Sequence, residues 1–363
     1  MPHLNELQHI LNRHFKWNKA RISCLTFMMI ALLFKQTSNL AKLSTLFMNE
    51  AQPQSSYRRI QRFLSKHYID FNHVAQFIFQ LFHFNQVSLT LDRTNWKWGK
   101  KNINILMLAL VYKGIAIPLF WLLLNKRGNS CSIERIALIK RFIRVFGKDK
   151  IHQILADREF VGEKWFNWLN KNEIKFCIRV RKNSKVSNRY GQLVQVHSLF
   201  HNLRKGQQIQ HDRQVKIDGV NVYLSVLKLQ DGELLIVATN HNDADALVSY
   251  AKRWEIETLF SCLKSRGFNL EDSHLTDMKK IKKLLVVNAI AFCWCYSIGE
   301  WQHEKVNQIK IKKHGRPMKS VFRLGLDIIL DILKGYFFKQ RTTDFIRIIS
   351  YLKSKPRYDI RHI

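Results

Sequence analysis

Three carboxylates in this chain have neighbours that could turn them to chemistry: Asp92 in "TLDRT", Asp157 in "ADREF" and Glu257 in "RWEIE". Asp92 follows the alternating run Val87–Leu91, and Asp157 follows Ile154, Leu155 and Ala156. Each run reads as a β-strand that ends at an Asp-Arg pair. A carboxylate at a strand end also serves as a cap or turn residue, so neither Asp is diagnostic alone. Glu257 lies in "ALVSYAKRWEIETLFSCLKSRG", whose spacing predicts one long helix. At ~100° per residue, Tyr250, Arg253, Glu257 and Lys264 fall within roughly 60° of one another, and Ile256, Leu259 and Leu263 form an apolar face beside them. Glu255 points elsewhere. A surface i,i+4 ion pair between Arg253 and Glu257 reads the same way. If Asp92, Asp157 and Glu257 converge, they repel one another unless cations intervene. Hard oxygen donors select Mg²⁺ or Mn²⁺. Two such ions ~3.5–4 Å apart can activate an attacking oxygen and stabilise a leaving oxygen at a phosphodiester. Glu159 would share a face with Asp157 in an extended segment and is a second candidate ligand.

The elements that must position these groups follow from periodicity. Residues 1–85 read as helical: a buried helix "CLTFMMIALLF", a second helix capped by Ser38, a break at "EAQPQS", and a helix starting at Ser55 or Ser56. That last helix carries Arg58, Arg59 and Arg62, with Ile60, Phe63 and Leu64 as its core side. A helix, a break and a basic helix suggest a helix-turn-helix-like DNA-binding unit, although an ordinary bundle with a solvated basic face has the same pattern. Residues 86–181 read as β-β-β-α-β-α-β, the order of an RNase H-like core with three meandering strands and then parallel ones. Its first helix has apolar residues at Ile133, Ile136, Ala137, Ile139 and Ile143. Residues 182–232 read as an antiparallel β insertion with turns at the Asp-Gly pairs 218–219 and 231–232, and a phase slip after Val226 suggests a β-bulge. Residues 233–270 return to the core with the Glu257 helix, and 271–363 continue as a C-terminal helical region. The expected fold is therefore α/β, with helical segments flanking an interrupted core.

Sixty Lys and Arg against 27 Asp and Glu give a formal charge of +33 over 363 residues. Such a chain repels its own copies and is drawn to polyanions, so nucleic acid is the first partner to expect. A membrane role is disfavoured, because Cys24–Phe34 is too short to span and Asn288 interrupts Leu284–Ile298. No signal peptide opens the sequence. The six cysteines form no CxxC pair, and Cys293 and Cys295 read as core, which fits a reduced, cytoplasmic protein. His197 and His201 lack Cys or Glu companions and read as surface, not zinc ligands. "KIKKHGRPMK" reads as a phosphate-contacting or flexible basic loop.

The pattern Y-x2-R-x3-E-x6-K at Tyr250, Arg253, Glu257 and Lys264, together with Asp92 in "TLDRT" and Asp157 in "ADREF", resembles the signature of bacterial insertion-sequence transposases. It is most similar to the IS-four family, to which the Tn-five and Tn-ten transposases belong. The resemblance is closest over about residues 85–270. It implies that Asp92, Asp157 and Glu257 are the DDE metal ligands for Mg²⁺, with Mn²⁺ as an alternative. Tyr250, Arg253 and Lys264 would grip phosphates of the transposon end, with Trp254 supporting that contact. The implied reaction is cut-and-paste transposition: strand nicking, hairpin formation, hairpin opening and strand transfer. Double-stranded DNA would be the partner, as terminal inverted repeats and as target, with a homodimer forming on paired ends in a nucleoid-associated protein. The family's hairpin step uses a Trp from the insertion, but here none lies between Trp168 and Trp254; Tyr190, Phe200 or Tyr223 would have to substitute. Trp96 and Trp98 read as core or loop anchors. Two rival readings share the same core: a non-catalytic DNA-binding protein and a metal-dependent endonuclease without strand transfer.

Overall fold

A computed structural model describes residues 2–47, 52–188, 190–337 and 342–353. Glu50 and Ala51, at the start of the expected break, and residues 354–363 of the expected C-terminal region lie outside the described residues. In chain order the helices α1 (Pro2–Phe15), α2 (Lys19–Lys35), α3 (Leu40–Ser44), α4 (Pro53–Lys66) and α5 (Phe71–Leu81) come first. Strands β1 (Val87–Trp98), β2 (Lys101–Tyr112) and β3 (Ile115–Leu123) follow, then α6 (Ser132–Phe146), β4 (Ile151–Ala156), α7 (Glu163–Lys171) and β5 (Phe176–Arg179). Next come β6 (Lys185–Ser187), β7 (Leu193–Gln195), β8 (Gln208–Gln210), β9 (Val215–Ile217), β10 (Val220–Lys228) and β11 (Leu234–Thr239). The chain then runs through α8 (Ala246–Ala251), a 3-10 turn (Lys252–Trp254), α9 (Glu255–Leu263), α10 (Met278–Lys305), α11 (Val321–Phe337) and α12 (Thr342–Ser350).

The chain divides into two compact units. The helical unit comprises Met1–Phe84, Trp96–Lys101 and Phe260–Ile363. The sheet unit comprises Asn85–Asn95 and Asn102–Leu259.

In the helical unit, α2 and α10 supply the centre of the core; both read as nearly unbroken apolar runs and both are buried along most of their length. α10 is long and apolar enough to cross a membrane, but most of that stretch is buried by protein. Asn288, in its middle, donates to Ser38 Oγ at 2.9 Å, and Ser38 Oγ donates to the Phe268 carbonyl at 2.9 Å. Ser38 is therefore not the cap of α3. Asn39 does that, its Oδ1 accepting from Ala41 and Lys42, because Ser38 is committed to a buried polar cluster. α4 begins at Pro53, earlier than expected, because proline at the first helical position forfeits no hydrogen bond. α10 and α11 approach so closely at Gly299 and Gly325 that a Cβ at Gly299 would lie 1.9 Å from the Val321 carbonyl oxygen. Only glycine permits that backbone contact. Cys293 and Cys295 are buried free thiols, as their apolar setting suggests.

In the sheet unit the strand order is β3-β2-β1-β4-β5-β11-β10-β8, with β9 also pairing β10. β2 and β3 pair antiparallel, while β1–β4 and β4–β5 pair parallel. The expected order β-β-β-α-β-α-β is present. β1 does not stop at Asp92, however; it continues to Trp98, where the turn at Gly99 leads into β2. β1 is buried through Leu91 and less so beyond it, because β4 stops at Ala156, its partner. The insertion extends the same sheet through the antiparallel β5–β11 and β10–β11 pairs. Both Asp-Gly turns form, with Asp218, Gly219 and Gly232 at positive φ. No bulge interrupts the β10–β11 register. The apparent phase slip arises because Leu224, Ser225 and Val226 are all buried, so alternation carries no information there. α6 also differs from expectation. Its buried side is Arg135, Leu138, Ile139 and Phe142, whereas Ile133 is 79% exposed.

Candidate active site

The parallel register places the two aspartates. Leu91 pairs with Ala156, so Asp92 and Asp157 leave adjacent strands at equivalent positions, with chains ~4.8 Å apart. Asp157 then begins a 3-10 turn over Arg158–Phe160, which stops β4.

The third carboxylate arrives on the helix that crosses β4 and β5. Ala246 and Tyr250 of α8 pack with Leu155, Cys177 and Val237 in one buried cluster. The helix is not continuous. It tightens to 3-10 geometry at Lys252–Trp254 before α9, and Glu255 then accepts from the backbone N–H of Tyr112 (2.7 Å) and Gly114 (3.1 Å). That anchor ties the start of α9 to the β2–β3 turn and leaves Glu257 free of it.

Tyr250 and Arg253 join the three carboxylates. Arg253 is 3% exposed, and its guanidinium lies among the carboxylates. It donates from Nη2 to Glu257 Oε1 (2.7 Å), from Nη1 to Asp92 Oδ2 (3.4 Å) and from Nε to the Tyr250 hydroxyl (3.1 Å). The Tyr250 hydroxyl donates in turn to Asp157 Oδ1 (3.2 Å). Burial raises the Tyr250 pKa, so the phenol keeps its proton and can donate. Burial works against the charged form of Arg253, but Tyr250, Glu257, Asp92 and Asp157 outweigh it and keep the guanidinium cationic. Asp92 is pushed up to about 6, chiefly by burial; the Arg93 N–H and Arg253 pull it down, while Glu159 and Asp157 push it up. Burial therefore outweighs the pull of Arg253 on this carboxylate.

Trp254 is 59% exposed, with the Arg253 guanidinium 5.3 Å from its ring. Lys264 belongs to the helical unit, where it pairs with Glu271 at 2.5 Å and lies 5.9 Å from the Trp96 ring. In that unit Trp96 is buried, and Trp98 stacks on His274 at 3.8 Å.

Glu159, the second candidate ligand, is paired with Arg93. Arg93 Nη2 pairs with it at 3.0 Å and Arg93 Nε at 3.2 Å, while Arg93 also donates to Asn104 and Asn129. Asn104 holds the Lys126 and Gly128 carbonyls, and Arg135 donates to Ser130, to its carbonyl and to the Glu159 carbonyl. This network fixes both segments that carry the aspartates. Sequence reasoning missed it. The available signal was Arg135, on the same helical stripe as Leu138, Ile139 and Phe142.

Two basic clefts lie among the described residues. In the sheet unit a cleft of about 480 Å³ is lined by Arg158, Arg179, Arg181, Lys182 and Glu233. Glu233 neutralises Arg179 (2.7 Å), and no carboxylate among the described residues pairs with Arg158, Arg181 or Lys182. In the helical unit a groove of about 580 Å³ is lined by Arg58, Arg62 and Lys280 with Ser55, Gln61 and Ser65. Arg59 turns away from it and donates to the Ala20 carbonyl at 2.9 Å. His197 and His201 direct Nδ1 at the Lys182 and Ser198 carbonyls.

Among the described residues, no three His, Cys, Asp or Glu side chains are close enough to hold a metal ion. The donor chemistry of the cluster nonetheless suits a hard cation. Its three carboxylates all lie within two hydrogen bonds of one guanidinium, and Asp92 retains a raised pKa beside it.

No match was found among curated proteins. Among solved structures the chain is similar to one described as "Cryo-EM structure of piggyBac transposase synaptic complex with hairpin DNA (SNHP)", with 14% identity, a TM-score of 0.44, and coverage of 95% of this chain and 78% of that one. Residues 88–294, more than half of the chain, match the model of the transposase DDE domain. That span begins at β1, ends within α10 and contains Asp92, Asp157 and Glu257, and the chain belongs to this family of DNA-strand-cleaving and strand-transferring enzymes.

Proposed function

We propose that the chain is a cut-and-paste transposase of the bacterial IS-four type, resembling those of Tn-five and Tn-ten, with Asp92, Asp157 and Glu257 as its catalytic carboxylates on an RNase H-like core. The observation that carries this reading is the shared register of Asp92 and Asp157, with Glu257 drawn to them through Arg253 and Tyr250. The three carboxylates would hold Mg²⁺ or Mn²⁺, which when bound supplies charge for in-line displacement at a phosphodiester. Around them the chain's own residues do the positioning. Arg253 keeps Asp92 and Glu257 facing one another. Tyr250 orients Asp157 through a proton it does not give up. Arg93 and Glu159 lock the two aspartate-bearing segments together. Arg253, with Trp254 exposed beside it, is suited to hold a DNA phosphate, and Lys264 is suited to a phosphate as well.

Arg158, Arg181 and Lys182 are suited to backbone phosphates next to the reacting group. Arg58 and Arg62, joined by Lys280, are suited to the terminal inverted repeats, whereas Arg59 serves the packing of α4 on α2. We assign 1–85 to end recognition, 86–181 and 233–270 to the core, 182–232 to its insertion and 271–363 to pairing of two protomers on two DNA ends. The protein acts in the bacterial cytoplasm, on the nucleoid. Strand nicking, hairpin formation and strand transfer can all use one carboxylate site, because each is a phosphoryl transfer to a different oxygen.

The test uses purified protein, labelled duplex carrying the element's ends, a target plasmid and Mg²⁺. Excision followed by joining is the expected result. Cleavage without joining would reassign the chain to the nucleases, and binding without cleavage in any divalent metal would make it a DNA-binding protein. A thermal melt gives a second readout: Mg²⁺ should raise the melting temperature of the wild type at pH 7.5 and leave that of Asp92→Asn nearly unchanged.

A further inference from the structure

The segment between α10 and α11 lies outside the span matched by the family model and has a structure of its own. It folds back as a short hairpin. Met318 N–H donates to the Lys310 carbonyl (2.8 Å), Lys312 N–H to the Arg316 carbonyl (2.8 Å) and Gly315 N–H to the Lys312 carbonyl (2.9 Å), and Ile311 bridges Pro317 antiparallel. The turn needs Gly315, whose φ is +79°. Its base is fixed to the end of α10, where Ile309 N–H donates to His303 Nδ1 at 2.9 Å. The basic loop expected from "KIKKHGRPMK" is thus a formed hairpin.

Its charge is lopsided. From Lys305 to Ser320 there is no Asp or Glu. Lys319 pairs with Asp327 of α11, but no carboxylate among the described residues pairs with Lys310, Lys312, Lys313 or Arg316. Four cations on one small hairpin repel each other, and an isolated hairpin of this size is at best marginally stable in water. Apolar side chains are exposed among them, Ile311 at 63% and Met318 at 51%. Lysines alone would suit any polyanion at long range. A formed ribbon with cations and apolar side chains interleaved suits a grooved polyanion, with phosphates flanking sugar and base edges. A two-stranded ribbon fits the ~12 Å major groove of duplex DNA.

We propose that the hairpin Lys310–Met318 is a separate DNA-binding arm that lies in a groove of duplex DNA, with Lys312, Lys313 and Arg316 on its phosphates. This rests on the reading of the chain as a DNA-acting enzyme but uses none of its catalytic residues. The test is equilibrium binding of the full chain to a fluorescent duplex in EDTA, over a range of salt concentrations. The variant Lys312→Ala/Lys313→Ala/Arg316→Ala should reduce the slope of log K against log salt by ~2–3 and weaken binding on the order of tenfold near physiological salt. Lys312→Arg/Lys313→Arg should keep the wild-type slope, and the melting temperature of both should match wild type because the hairpin is exposed. An unchanged slope in the triple variant would overturn the proposal. So would equal loss of binding to anionic phospholipid vesicles, which would mark the arm as a general anion binder. A wild-type chain that binds no duplex would sink the functional reading as well, whereas one that binds with an unaltered triple variant sinks the arm alone.

Discussion

The same dipeptide, Asp-Arg, occurs at 92–93 and at 157–158, and its arginine has opposite fates. Arg93 is largely buried, pairs with Glu159 and reaches Asn104 and Asn129. Arg158 is exposed and lines a basic cleft with Arg181 and Lys182. The backbone explains the difference. Asp92 lies inside β1, so its neighbour's side chain projects from the sheet toward the segments after β3 and β4. Asp157 lies past the end of β4, where the 3-10 turn swings Arg158 outward. The aspartates are equivalent by register, but one arginine is an anchor and the other is free to meet a ligand.

The sharpest way to break this comparison is to remove the carboxylates themselves. Asp92→Ala, Asp157→Ala and Glu257→Ala should each lower Mg²⁺-dependent strand cleavage on the order of a thousandfold or more while duplex binding persists. Any variant that retains activity loses its place in the site. The arginines should then separate by stability. Arg93→Ala leaves Glu159 partly buried without its partner and should cost about 3 kcal/mol in urea unfolding. Arg158→Ala should stay within ~0.5 kcal/mol of wild type.

The third test concerns the burial of Asp92, which Arg253 does not offset. The Asp92 carboxyl titrates at about 6 in the folded chain against an ordinary value of 3.8, so between those pH values the folded state binds more protons than the unfolded one. Its contribution therefore falls as pH rises through that window and is constant above it. The stability of Asp92→Asn relative to wild type should grow by up to ~3 kcal/mol between pH 4 and pH 7. A difference independent of pH would show that burial does not strain this carboxylate. The smallest effect belongs to Arg158 on DNA: Arg158→Ala should reduce the salt slope of binding by ~0.9, and Arg93→Ala should leave it unchanged wherever the protein is folded.

Much of the site was legible because it rests on local pattern. Apolar runs ending in Asp92 and Asp157 mark neighbouring strands, and the spacing of Tyr250, Arg253 and Glu257 survives even though the helix tightens between them. The illegible parts depend on which partner a side chain meets. The helical wheel gave no hint that Lys264 pairs with Glu271. The wheel for α6 chose Ile133 over Arg135, because an arginine reads as solvated until Ser130 and the Glu159 carbonyl are there to receive it. Arg58, Arg59 and Arg62 look alike in sequence, yet only for Arg59 among them is a hydrogen bond to the Ala20 carbonyl found.

Sequence by itself determined the order of strands and helices, the excess of positive charge and the choice of three candidate acidic groups, since each follows from residue type and short-range pattern. Tertiary structure alone decided that Arg253 and Tyr250 face the carboxylates, that Glu159 is held by Arg93, and that "KIKKHGRPMK" stands out as a hairpin. The physical reason is that burial and ion pairing are properties of neighbours brought together from distant parts of the chain, and no local pattern records which of several similar charges will find a partner first.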